Sequence, residues 1–294
     1  MNKLILFLPM LVGITFCTAQ TEPVRFEPSF ISDGGVFGLT VSPDSKTALW
    51  VKSNGKRDTL KIMESVKIDG KWSAPKVSSF STYTGRWKDI DPVFSPDGNM
   101  VLFQSTRPVP GMPNRKGFDI WAVKKQSTGW GEPYHLGNVI NTDISESYAS
   151  ISDNGNIYFM KENENKQGNS DIYVSKLEEG VYQKPVNLGS PVNTIKYRES
   201  NPFISAKEDF IIYFSSDSSG FGDVDLFISF RNKDEWSTPR NLGIPINSEF
   251  AEFCPFVHAN EKRLYFSRQQ KQSENMVEDL YYIPFDADAY RMSR

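Results

Sequence analysis

The chain has 294 residues, 38% of them hydrophobic and 13% aromatic, enough apolar material for one large domain or two small ones. Its formal net charge of −3 excludes the concentrated basic face that a nucleic-acid surface needs. With 20 Gly and 18 Pro, turns should be frequent, and the richness in Phe and Tyr leans toward strands.

In chain order, the first segment is "MNKLILFLPMLVGITFCTAQ": one Lys, an apolar run from Leu4 to Phe16, then small residues. This pattern predicts a secretory signal peptide over 1–19, cleaved after Ala19. A lipid anchor at Cys17 is the rival, disfavoured by the bulky Phe16 before it. The run is too short for an ordinary spanning helix, and no later segment could cross a membrane. The protein is therefore expected in the periplasm, at the cell surface or secreted, as a monomer. After cleavage Cys254 stands alone, so no internal disulfide can form. A lone cysteine could be a nucleophile. A small buried apolar residue on a strand is the reading preferred for Cys254.

From about residue 37 onward the chain repeats itself. Asp119, Asp171, Asp225 and Asp279 each open a "D-apolar-aromatic" run, at steps of 52, 54 and 54 residues, with Asp58 as a degenerate first copy. Trp72, Trp130, Tyr182 and Trp236 form a second series, with Tyr290 as a possible fifth member. A proline follows three residues after each of the first four. Asp89, Glu146, Glu199 and Glu252 form a third series, at steps of 57, 53 and 53. Within each unit, runs such as "NMVLFQS" and "FIIYFSS" are β-branched and aromatic, bounded by turn residues. No stretch carries a sustained helical period.

Four strands per unit of about 53 residues make a propeller blade, and blades must stack around an axis to bury their faces. The expectation is one all-β domain over 20–294, a five-bladed β-propeller of four-stranded antiparallel blades. The units fall at about 37–88, 89–145, 146–198, 199–251 and 252–294. "RFEPSFIS", residues 25–32, reads as a spare outer strand that completes the last blade and closes the ring.

"PVFSPDGNMVLFQS" followed by "FDIWAV" resembles the TolB-like, WD-type β-propeller repeat of exported bacterial proteins. The run from Trp236 to Ser248 resembles the variant common in Bacteroidetes-type proteins. The resemblance covers nearly the whole mature chain and implies the fold. It does not imply a function, because such repeats serve binding scaffolds, peptidase-associated domains and carbohydrate-active proteins alike. The full SPDG text survives only at Ser95–Gly98; the other blades carry SPDS, SDNG, SAKE and HANE there.

Residues repeated once per blade are expected to be structural. The four aspartates should accept backbone N–H groups of the preceding turn, and the Trp/Tyr series should pack between blades. Asp89, Glu146, Glu199 and Glu252 are more open as binding residues. On one rim they could bind a cation such as Ca2+ through oxygen; stapling the neighbouring loops is the favoured reading. Asp91 differs in kind, because the equivalent positions hold Gly38, Tyr148, Asn201 and Cys254. An acid unmatched among repeats is the catalytic candidate, since glycoside hydrolysis on such a ring needs paired carboxylates. With only His135 and His258, in different blades, a multi-histidine metal site is excluded. There is no G-x-S-x-G elbow and no phosphate loop.

The main expectation is an exported non-catalytic scaffold that binds an envelope protein or a glycan through one face. Loops 105–118, 161–170, 216–224 and 268–278 would provide the surface, with Tyr83, Trp87, Tyr197, Phe221 and Phe250 as stacking residues. The alternative is a carbohydrate-active hydrolase using Asp91 and one rim glutamate.

Overall fold

The computed structural model describes residues 21–28, 30–82, 85–112, 115, 117–163, 169–272 and 275–292. The signal-peptide segment, Cys17 and Tyr83 lie outside them. Among the described residues no helix is long and apolar enough to cross a membrane.

Alternating apolar runs with turn residues between them form five antiparallel sheets around one axis. Blade 1 steps outward through Val36–Val41, Thr47–Ser53 and Leu60–Ile68 to Lys76–Val77. Blade 2 comprises Asp89–Phe94, Met100–Ser105, Asp119–Gln126 and Tyr134–His135. Blade 3 comprises Glu146–Ile151, Ile157–Glu162, Ser170–Ser175 and Val186–Asn187. Blade 4 comprises Glu199–Ile204, Phe210–Ser215, Asp225–Asn232 and Arg240–Asn241. Blade 5 has Ala251–His258, Arg263–Gln272 and Asn275–Pro284, and takes its outer strand from the other end of the chain. Val24 pairs with Tyr282 and Arg25 with Tyr281, so the N-terminal strand closes the ring. Ser32 Oγ fixes the closing segment by donating to Phe26 O at 2.6 Å.

Five apolar clusters hold the ring together: four lie in single seams between neighbouring blades, and the fifth runs from blade 4 through blade 5 to blade 1. The recurring aromatics sit in these seams. Trp130 meets Phe80 edge-on at 5.7 Å, Trp236 meets Tyr158 at 6.4 Å, and Trp72 meets Phe26 at 6.1 Å. Tyr290 departs from that series. It lies on the short helix Ala287–Met292 and stacks on Phe285, because Val24–Arg25 already fills the outer-strand place of blade 5.

A second device recurs in the loops that lead into blades 3, 4 and 5. Asn141, Asn193 and Asn247 each accept from the backbone N–H of Ile120, Ile172 or Leu226 and donate back to the same residue's carbonyl, at 2.7–3.0 Å. Each side chain thereby satisfies the N–H of a buried residue and shares its carbonyl with a backbone donor from Leu136, Leu188 or Leu242.

Candidate active site

Each innermost strand slips register once: between Phe37 and Thr40, Ile90 and Val93, Ser147 and Ser150, Ser200 and Phe203, and Phe253 and Phe256. A β-bulge re-aims the residue at the slip. These residues are Gly38, Asp91, Tyr148, Asn201 and Cys254, all with φ between +49° and +65°. Glycine takes that conformation freely, whereas for Tyr148 and Cys254 it costs roughly 1–3 kcal/mol. The repeated bulge brings four different side chains, and the bare backbone of Gly38, to one level of the axis. Together they line a cavity of about 30 Å³, room for a water but not for a sugar ring.

Asp91 is the acid of this ring. It is 4% exposed. Its Oδ1 accepts from Cys254 Sγ at 3.5 Å, while Oδ2 has no partner. Gly38 leaves it space, since a Cβ there would stand 2.9 Å from Asp91 Oδ1. Burial pushes the Asp91 carboxyl up to about 7; the Cys254 contact and Arg57 pull against this, and Glu278 adds to it. Burial and the neighbouring Asp91 also hold the Cys254 thiol and the Tyr148 hydroxyl well above their ordinary ranges. Cys254 is therefore a protonated donor, to Asp91 and to Asn201 Oδ1 at 3.4 Å, and not a thiolate nucleophile.

Sequence reasoning missed two charged residues here. Arg57 comes from the loop between the second and third strands of blade 1. It lies over the Phe37 ring at 4.7 Å and pairs with Glu278. Glu278, on the third strand of blade 5, is 3% exposed and also accepts from Gln269 Nε2 at 2.6 Å. The residues that precede the other repeat aspartates are Phe118, Ser170 and Val224, so Glu278 is a second acid without counterparts. That mismatch was the available signal.

The rim carboxylates are fully buried and engaged with their own loops. Asp89 accepts from Thr82 N, Ser81 Oγ, Ser105 Oγ and Arg107. Glu146 holds Thr142, Glu199 holds Thr194, and Glu252 holds Ser248, each through backbone N–H and hydroxyl. Burial pushes Glu199 up to about 7, against the Thr194 hydrogen bonds. Among the described residues no three His, Cys, Asp or Glu gather as a metal set. Of the aromatic candidates, Trp87 is half-buried beside Arg107, Tyr197 and Phe250 are half-buried in their loops, and Phe221 is exposed. Asp225 accepts from the turn at Phe221 N and Gly222 N and also from Asn241 of its outer strand, and Asp119 and Asp171 bind His135 and Asn187 in the same outer-strand place.

No family model and no curated protein matches the chain. Solved structures match its five-bladed propeller. A GH43_12 protein retrieved from capybara gut metagenome aligns with 14% identity and TM-score 0.54, over 92% of this chain and 55% of its own. The α-L-arabinofuranosidase from Lactobacillus brevis aligns with 12% identity and TM-score 0.50, over 90% of this chain and 94% of its own. Hydrazine synthase from Kuenenia stuttgartiensis aligns with 15% identity and TM-score 0.53, over 85% of this chain and 37% of its own. At these identities the likeness is one of fold. It nevertheless corrects the expectation of a non-catalytic scaffold. An arabinofuranosidase and a GH43_12 protein share this ring over nine-tenths of the chain, and its axis holds a buried carboxylate without counterparts in the other blades.

Proposed function

We propose that the protein is an exported carbohydrate-active enzyme of the glycoside hydrolase type, with Asp91 as its acid and Glu278 as the second carboxylate. The observation that carries the reading is the buried Asp91 carboxyl, held near 7 with one oxygen unpartnered. A general acid works best with its pKa near the operating pH. Near neutrality a substantial fraction of Asp91 keeps its proton and can deliver it to a glycosidic oxygen as the C–O bond breaks. Water supplies the hydroxyl for the sugar and returns a proton to the acid. Glu278, ion-paired with Arg57, offers negative charge to the developing oxocarbenium ion. The cavity at Asp91 is too small for a sugar ring, so substrate entry calls for the ring of bulge residues to open. The TolB-like kinship of the repeats rests on their text alone, and so does export.

The test is reducing-sugar release from a panel of plant and bacterial polysaccharides by the purified protein. Activity should fall as pH rises through about 7, because the acid loses its proton there. Asp91→Asn should lower the rate by about 10²–10⁴-fold with the fold intact. No release across the panel, or release untouched by Asp91→Asn, overturns the reading.

A further inference from the structure

Beyond the Asp91 ring, the axis opens into a second and larger space. At the end where each innermost strand turns into the next, the blades surround a cavity of about 520 Å³. Val93 and Phe256 line both this cavity and the small one at Asp91. Its size falls within the range of ordinary small-molecule sites.

The lining breaks the symmetry of the repeat. Two residues beyond the bulge, the five blades present Thr40, Val93, Ser150, Phe203 and Phe256. The hydroxyl oxygens of Thr40 and Ser150 accept backbone N–H groups of the next blade, from Phe94 and Ile204. The aromatic side belongs to blades 4 and 5. Phe203 meets Phe256 edge-on at 5.8 Å and Phe210 at 6.3 Å, and all three remain half-buried rather than sealed. A ring that needed only to close would seal such side chains in a seam, as it does Phe103 and Phe159, both 0% exposed. The turns above the aromatic side read SAKE and HANE, the two that depart furthest from SPDG. They place exposed Lys207 and Lys262 on the rim, with exposed Asp209 and Asp286 beside them.

We propose that this turn-end cavity is a binding site for a small molecule with an apolar, ring-sized body and a polar tail. The body packs on Phe203, Phe256 and Val93, and the tail stays at the mouth among Lys207 and Lys262. Offset or edge-on contact with phenyl rings favours a planar apolar partner, and the charged mouth keeps the tail hydrated. This site is separate from the proposed hydrolytic chemistry and stands whether or not sugar is released.

The probe is 1-anilinonaphthalene-8-sulfonate, which has two aromatic bodies and one anionic tail. Titrated into the native protein, it should give a saturable rise in emission with one site per chain. Ala206→Trp, which fills the cavity from its wall, should weaken binding at least tenfold. Ala259→Trp, on an exposed turn at the mouth, should do the same without touching the core and serves if the first variant unfolds. Lys207→Glu should weaken binding several-fold by repelling the sulfonate. Absence of a saturable site, or binding unchanged by the folded tryptophan variants, overturns the proposal.

Discussion

At the scale of single residues, Asp91 shows how a repeat can carry one exception. Four of the five bulge positions hold groups that are neutral in this setting, and the fifth holds an acid that the same backbone buries. Its ordinary value is 3.8 and its folded value about 7, so between these limits the folded state binds the proton more tightly than the unfolded chain. The stability this contributes is fully present below about pH 4 and is lost as pH rises through 7. Burial pushes Glu146, Glu199 and Glu252 up as well, so the wild type alone would report all four groups. Asp91→Asn isolates one of them. Its melting temperature should exceed that of the wild type at pH 8 by a few degrees, and the gain should shrink toward pH 5. An equal shift at both pH values would show that Asp91 does not titrate in this window. The lone acid of its series was legible in the text at once. Arg57 was not, because it precedes only the degenerate marker Asp58, and Glu278 was legible only as a mismatch in its series; no local pattern says that a blade 1 loop and a blade 5 strand will bring charge to one carboxylate.

At the scale of elements, stability rests on side chains that imitate backbone. Asn193 bridges Ile172 N and Ile172 O, both at 2.8 Å, where no strand reaches. Removing it leaves Ile172 N unmatched, while Ile172 O keeps only the Leu188 N–H at 3.0 Å, a loss of about 1–3 kcal/mol. Asn193→Ala should lower the thermal midpoint by several degrees, whereas Asn138→Ala, at an exposed position in the corresponding loop, should leave it unchanged. Calorimetry of the two variants separates them. The strand runs of each blade were readable because alternation and turn chemistry are local signals. The outer strands were harder. They are two-residue pairings, and the strand that completes blade 5, expected over 25–32, pairs only at Val24 and Arg25.

At the scale of the whole molecule, the repeat period set the number of blades, and the spare N-terminal strand foretold how the ring shuts. The apolar clusters lie in the seams between blades, so each blade depends on both neighbours. Removing residues 21–32 should uncover the edge of Asn275–Pro284 and the seam around Phe26, which is 6% exposed. The truncated chain should then self-associate through that edge, seen as a concentration-dependent shift in size-exclusion chromatography. A sharp monomer peak with an unchanged melting temperature would mean that the closing strand is dispensable.

The partners at that closure, Val24 and Tyr282, are separated by almost the full length of the polypeptide. During synthesis every other pairing can form from chain already made, while this one must wait for the final blade. Until then the first segment has nowhere to dock, and a nearly finished ring carries two raw margins that suit each other. Any second nascent copy offers the same margins, so exchange of the first strand between neighbouring chains competes with proper closure at high concentration.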